Sequence, residues 1–125
     1  MIYNDALEYC YSRGGILAEP TDSLKQATLV SLAKESKEID NSNSTFKHGY
    51  ELTDWWIGAS DADNEGTWAW ESGTPWSYTA WLSGEPNANN HGSGEHCAAL
   101  WASHDFKWND FECSYDKAKP ICQMD

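Results

Sequence analysis

The chain has 125 residues and a net charge of −12 at pH 7, from 20 acidic and eight basic side chains. This length predicts a single domain with a modest core, and the negative charge argues against a nucleic-acid partner, whose phosphates it would repel. No run of residues approaches the roughly 18–20 apolar residues of a membrane span, so we expect no membrane insertion. No signal peptide is visible at the start, and we interpret Met1 as a start added to a mature or trimmed domain.

Two helices are predicted in the first third of the chain. Asn4 is a candidate N-cap for a short helix over residues 6–10, which Gly14 and Gly15 would stop. A second helix is predicted to begin after Pro20, with Thr21 or Asp22 as its cap. Its apolar residues recur at helical spacing, at Leu24, Ala27, Val30 and Ala33.

The rest of the chain predicts short strands separated by polar loops. Residues 36–54 are turn-rich, and we interpret them as a surface loop that carries a glycosylation sequon at Asn43. Strands are predicted at residues 55–59, 67–70, 97–101, around Trp108, and at 119–123. Residues 71–96 are rich in Gly, Pro, Asn and Ser, and a loop of this length inside a small domain is usually functional or disordered.

The four cysteines, Cys10, Cys97, Cys113 and Cys122, predict two disulfides and an oxidising compartment. On arithmetic alone, three pairings are open. No Cys-x-x-Cys pair is present, which disfavours a structural zinc site.

Five oxygen-bearing side chains occur within and after the long loop. They are Glu85 and Asn87 in a Glu-Pro-Asn triplet, Glu95 close to Cys97, and Asn109 and Asp110 in a Trp-Asn-Asp triplet. Three carboxylates and two amides are hard oxygen donors, which suit Ca²⁺ with its roughly 6–8 oxygen ligands. Because three of these candidate ligands lie within the loop, we favour a functional loop over a disordered one.

The order of these motifs resembles the carbohydrate-recognition domain of C-type lectins, in particular the mannose-type group. The resemblance extends from Tyr3 to Cys122, and further motifs carry it: Trp56-Ile57-Gly58-Ala59, Gly66, Trp68-Ala69-Trp70, Trp81 and Pro120-Ile121-Cys122. It implies one α+β domain over residues 1–125, with two helices packed on small antiparallel sheets and a long calcium-binding loop. It also implies the disulfides Cys10–Cys122 and Cys97–Cys113. The family's usual first strand, which precedes the position of Tyr3, is expected to be absent, leaving the terminal strand near Cys122 without its usual partner.

The resemblance further implies calcium-dependent carbohydrate binding. Glu85, Asn87, Glu95, Asn109 and Asp110 would bind the cation and also the two vicinal sugar hydroxyls that complete its coordination. The Glu-Pro-Asn triplet implies mannose, N-acetylglucosamine or fucose rather than galactose, and a cis peptide before its proline.

Two neighbouring residues match positions that lie beside bound sugar in relatives. These are His91 and Phe111. His91 could equally be an exposed loop histidine, and Phe111 could equally pack within the loop. Many relatives also hold an auxiliary calcium, and Asp61 and Glu65 match two of its ligands. Ala88 and His96 stand where two further carboxylates would be, so we expect this auxiliary site to be empty or unusual.

Alternatives to a mannose-type lectin stay open. One is a C-type lectin-like domain that binds a protein, mineral or ice surface, and another is a galactose-type ligand despite the Glu-Pro-Asn triplet. An enzyme is not predicted, because Gly92-Ser93-Gly94 lacks the Gly-x-Ser-x-Gly spacing and no matching base is indicated. We therefore expect a secreted or extracellular lectin with Ca²⁺ as cofactor and glycans as partners. A homo-oligomer or a larger multidomain protein would supply avidity.

Overall fold

The computed structural model describes residues 1–42, 53–64, 66–86 and 96–124, with the backbone alone for residues 35–42. Within these ranges the chain forms two helices, seven short strands and one 3₁₀ turn. In chain order they are α1 (Tyr3–Tyr11), β1 (Gly15–Leu17), α2 (Ser23–Ser42), β2 (Trp55–Ser60), β3 (Ala69–Trp70), β4 (Cys97–Trp101), the 3₁₀ turn (Ala102–His104), β5 (Lys107–Phe111), β6 (Lys119–Pro120) and β7 (Cys122–Met124).

The strands form two sheets, as expected for an α+β fold. The larger sheet has the order β3-β2-β4-β5, in which all neighbours are antiparallel, and β6 adds to β2 in the parallel direction. The smaller sheet pairs β1 with β7. Strand β1 was not predicted, and its pairing with β7 supplies the terminal strand with a partner.

Helix α1 begins one residue before the predicted cap. Its N-cap position is Ile2, which makes no side-chain cap hydrogen bond, so Asn4 lies inside the helix and the predicted cap is wrong. The start is set by tertiary contacts instead, because Tyr3 is buried and its backbone N–H donates to the carbonyl of Cys113 at 3.0 Å. Burial of a large aromatic residue outweighs the modest stabilisation of a polar cap.

Helix α2 confirms the predicted cap and part of the predicted buried face. The Asp22 carboxylate accepts a hydrogen bond from the backbone N–H of Lys25 at 2.8 Å, as an N-cap does. Leu24, however, is 75% exposed, and the buried face consists of Gln26, Leu29 and Ala33. Ala33 of the predicted stripe is buried and Val30 packs against the core, whereas Leu24 and Ala27 are exposed. The buried glutamine interrupts the apolar pattern, which is why hydrophobic spacing identified only part of the buried face.

The loop predicted from residue 36 begins later than expected. Helix α2 continues to Ser42, so residues 36–42 are helical. The sequon at Asn43 lies outside the described residues. Strands β2 and β4 occur where they were predicted, and the predicted terminal strand is divided into β6 and β7 at Ile121.

Both disulfides that the resemblance implies are present. Cys10–Cys122 links α1 to β7, and Cys97–Cys113 links β4 to the segment after β5. The first disulfide thus ties the N-terminal helix to the last strand, and the second ties the C-terminal end of the long loop to the segment after β5.

The main core surrounds the indole of Trp108, which is fully buried. Its Nε1–H donates to Oε1 of Gln26 at 2.9 Å, and Nε2 of Gln26 donates to the carbonyl of Phe106 at 3.3 Å. Three further tryptophans and a tyrosine pack around it with ring centroids 5.5–6.0 Å away: Trp70, Trp76, Trp81 and Tyr78. This core therefore accounts for much of the abundance of tryptophan, of which the chain has eight.

A buried carboxylate joins the segment after β1 to the turn after β3. Glu19 is 4% exposed, and it accepts hydrogen bonds from the hydroxyl of Ser72 at 2.6 Å and from its backbone N–H at 2.9 Å. Burial raises the pKa of Glu19 above its ordinary value of 4.5 and Glu71 adds to the effect, although the Ser72 hydrogen bonds oppose it. The folded protein therefore holds a proton on Glu19 more tightly than the unfolded chain does.

This raised pKa predicts how stability depends on pH. A raised carboxyl pKa contributes stability that is fully present below the unfolded pKa and is lost as the pH rises through the folded pKa. The free energy of unfolding of the parent, relative to that of Glu19→Gln, should therefore fall as the pH rises above about 4. Urea unfolding of both proteins at a series of pH values measures this difference in the free energy of unfolding. Asn4→Gln, which exchanges one neutral side chain for another at an exposed position on α1, is the control and should give a flat difference. A flat difference for Glu19→Gln as well would contradict the prediction.

Candidate functional site

The candidate site is built on β5, which carries Asn109 and Asp110. One edge of this strand pairs with β4, where Asn109 lies opposite Ala99 and Asp110 opposite Ala98. The other edge receives the long loop. The N–H of Trp108 donates to the carbonyl of Ala80, and the N–H of Leu82 donates to the carbonyl of Trp108, both at 2.9 Å.

This docking directs Glu85 and Pro86 towards the same end of β5 as the Asn-Asp pair. The bridge between Trp81 and Trp108 is parallel, so the loop and the strand run in the same direction. A turn follows, in which the N–H of Glu85 donates to the carbonyl of Leu82 at 2.9 Å and Gly84 has a φ of 90°. Glycine adopts this left-handed conformation without steric cost. The Glu85–Pro86 peptide is cis, as the resemblance implies.

The polar side chains of β5 are buried to a degree unusual for asparagine and aspartate. Asn109 is 7% exposed and Asp110 is 0% exposed. Among the described residues, the Oδ1 atom of Asn109 has no hydrogen-bond partner. An unsatisfied buried carbonyl oxygen costs about 1–3 kcal/mol, and coordination to a cation would remove this cost. The oxygen donors that the structure describes therefore fit a calcium ion.

Several predicted site residues lie outside the described residues. These are Glu65, Asn87, His91 and Glu95. Of the five predicted calcium ligands, the structure thus describes Glu85, Asn109 and Asp110. Within the described ranges no group of three or more His, Cys, Asp or Glu side chains is arranged to hold a metal ion. The ligand set stays a prediction.

Phe111, predicted to lie beside sugar, packs into an aromatic cluster. Its ring stacks on Tyr115 with centroids 4.8 Å apart and meets the rings of Trp56 and Trp101 edge-on at 6.2 and 6.0 Å. Tyr115 is held in turn by a hydrogen bond from its hydroxyl to Asp54 at 2.8 Å. Burial and this carboxylate raise the pKa of Tyr115 to about 12. Phe111 is half-buried, and its contact with sugar stays a prediction.

Asp61, predicted as an auxiliary calcium ligand, is engaged by protein donors. Its Oδ1 lies 2.8 Å from Nδ1 of His96, and its Oδ2 accepts a hydrogen bond from the N–H of Gly66 at 2.8 Å. The side chain is 1% exposed. A histidine in place of a carboxylate was visible in the sequence, but its pairing with Asp61 was not foreseen.

The sequence analysis did not single out Gln26. It lies on α2, far along the chain from the ligand motifs, yet it bonds the indole next to Asn109. The signal was available in principle, since Gln26 stands at helical spacing from Leu29 and Ala33. A polar residue on a helix is usually exposed, so the pattern alone does not identify it.

Comparison with known proteins places the chain in a family. Residues 1–124 match the Lectin C-type domain. A perlucin-like protein of Mytilus galloprovincialis is 32% identical over 121 residues, which cover 96% of this chain and 68% of that protein. A mannose-binding protein of Gallus gallus is 35% identical over 115 residues, covering 92% of this chain and 37% of that protein.

Solved structures agree with this similarity. The cow C-type carbohydrate-recognition domain of CD23, determined in the presence of a GlcNAc2Man3 oligosaccharide, superposes with a TM-score of 0.75 at 26% identity. The match covers 98% of this chain and 78% of that one. No helix among the described residues is both long and apolar enough to cross a membrane. The chain belongs to the C-type lectin domain family, as its sequence, its fold and its two disulfides show.

Proposed function

We propose that this chain is a calcium-dependent carbohydrate-binding domain with one primary calcium site, formed by Glu85, Asn87, Glu95, Asn109 and Asp110. The observation that carries the proposal is the buried Oδ1 of Asn109, which lacks a partner within the described part of the chain. It lies beside the fully buried Asp110, on the strand against which the Glu85 turn docks. Burying polar groups in this way is favourable only where they are paired or coordinate a metal.

The mixture of carboxylates and amides suits the hydroxyl groups of a sugar. When bound, calcium supplies a positive charge that accepts lone pairs from two vicinal hydroxyls. Each hydroxyl also has a proton to donate and a further lone pair. Carboxylates such as Glu85 accept a hydrogen bond from the hydroxyl, whereas the amide NH₂ groups of Asn87 and Asn109 donate a hydrogen bond to its lone pair. Each hydroxyl is thereby recognised as both a donor and an acceptor.

The positions of donors and acceptors determine which sugar is bound. With Glu85 as acceptor and Asn87 as donor, we propose a preference for mannose, N-acetylglucosamine or fucose. Two relatives support a glycan ligand of this kind: one is named a mannose-binding protein, and another was solved in the presence of a mannose-containing oligosaccharide. Phe111 and His91 would flank the sugar.

We propose that the protein is secreted and not an enzyme. Two disulfides favour an oxidising compartment, and the matched family is a lectin family. A single exposed sugar site binds at about millimolar strength, roughly −4 kcal/mol. Several sites in an oligomer or a multidomain protein would therefore be needed for tight binding.

Calcium should stabilise the protein through Asn109. A ligand that binds only the folded state stabilises it by about 2.7 kcal/mol at a concentration 100-fold above its Kd. Asn109→Ala should lose most of this calcium-induced rise in melting temperature, because it removes a ligand. Thermal unfolding with calcium and with chelator measures the rise. Asn4→Ala, at an exposed position on α1, should keep it in full, and an equal rise in Asn109→Ala would show that this residue is not a ligand.

Binding to immobilised glycans should require calcium. We expect mannose-ended glycans to be retained with calcium and released by chelator, because the hydroxyls coordinate the ion directly. A glycan array run in both conditions measures this. Retention that survives chelator would refute calcium dependence. A protein that binds calcium but no glycan would instead indicate the protein-, mineral- or ice-binding alternative.

Exchanging the acceptor and the donor should change the preferred sugar. The double variant Glu85→Gln, Asn87→Asp keeps the total charge but reverses the two roles, so its preference should move towards galactose. The ratio of mannose to galactose needed to displace a glycan probe measures this change. Glu112→Gln with Asn4→Asp makes the same charge exchange at exposed positions and should leave the ratio unaltered. A double variant with the parent's ratio would contradict the donor–acceptor account.

A further inference from the structure

The ends of β2 and β4 are joined by a polar contact that the proposed sugar site does not use. Asp61 directly follows β2, His96 directly precedes β4, and the two strands are neighbours in the sheet. The N–H of Asp61 donates to the carbonyl of His96 at 3.1 Å, and the two side chains meet at 2.8 Å. A backbone bond and a side-chain bond thus connect the same two residues.

The carboxylate of Asp61 is bonded on both of its oxygens. His96 bonds Oδ1, and the N–H of Gly66, across the turn after β2, bonds Oδ2. The Asp61 side chain is 1% exposed, whereas that of His96 is 29% exposed. A buried carboxylate is costly unless donors or a cation compensate it. Here two N–H groups of the protein do so.

This arrangement does not fit an auxiliary calcium ion at Asp61. Calcium takes oxygen ligands, but the group placed against Oδ1 is an imidazole, which has none. Its Nδ1–H instead presents a hydrogen-bond donor to the carboxylate, so the neighbour that compensates the negative charge is part of the chain itself.

We propose that the Asp61–His96 pair, together with Gly66, takes the structural place of an auxiliary cation, so that the chain binds one calcium ion rather than two. His96 is then a positioning residue. It immediately follows Glu95, a proposed calcium ligand, and its two bonds to Asp61 fix the chain at that point. Ordering a ligand in advance lowers the entropy cost of binding. The positioning role of His96 towards Glu95 rests on the proposed function.

The first test is the number and affinity of calcium ions bound, measured by titration calorimetry. We expect one ion per chain for the parent. His96→Ala should weaken calcium binding about tenfold, the lower end of the effect of groups that orient metal ligands. His96→Asn should restore most of it, because the amide nitrogen can donate where Nδ1 does. His104→Ala, at an exposed histidine elsewhere, should behave as the parent. Two ions bound to the parent, or an unchanged affinity in His96→Ala, would overturn the proposal.

The second test uses chelator and does not depend on the proposed function. Hydrogen exchange at the backbone N–H groups of Asp61 and Gly66 should be slow in metal-free parent protein and in His96→Asn. It should become at least tenfold faster in His96→Ala, while exchange in the core of β4 stays as in the parent. Fast exchange in the metal-free parent, or unchanged exchange in His96→Ala, would refute the pair's structural role. A parent that binds no calcium but exchanges slowly would refute the proposed function and leave that role supported.

Discussion

The arrangement of the molecule depends on the burial of Trp108. Its indole is fully buried and occupies the centre of the main core, with its one polar atom bonded to Gln26. Its backbone N–H and carbonyl both bond the loop segment from Ala80 to Leu82. One residue therefore joins helix α2, the tryptophan-rich core and the long loop. The two residues that follow it are the proposed calcium ligands of β5, so their positions are set by a fully packed neighbour.

The site places polar side chains where an ordinary core would have apolar ones. Asn109 and Asp110 lie opposite two alanines of β4, and both are buried. The buried Oδ1 atom of Asn109 has no hydrogen-bond partner among the described residues, and this is destabilising because the atom loses its hydrogen bonds to water. A cation would compensate for this loss. Under the proposed function, calcium binding and stability would be coupled, because the Oδ1 atom of Asn109 would be compensated when the ion is bound.

The ends of the long loop are held by different means. On one side, hydrogen bonds to β5 and the turn from Leu82 to Glu85 fix the approach to the Glu-Pro-Asn triplet. On the other side, His96 is bonded to Asp61, and the next residue, Cys97, is in a disulfide with Cys113. Neither attachment requires a metal. A binding loop that is anchored in this way can contribute ligands at a smaller entropy cost than a free one.

The sequence by itself identified the family, the disulfides and several strands, but not which surfaces would be buried. Cysteines and the strands at residues 55–59 and 97–101 are local features, and the C-type lectin resemblance joined them into a fold with both correct disulfides. Local patterns did not locate the start of α1, strand β1 or the buried position of Gln26 on α2, because each depends on a partner distant in the chain. Tyr3 is buried against the segment at Cys113, β1 exists through its pairing with β7, and Gln26 is inside because Trp108 needs an acceptor. The bonding of Asp61 to His96, 35 positions apart, was likewise decided by the tertiary structure, which brings the ends of two neighbouring strands together.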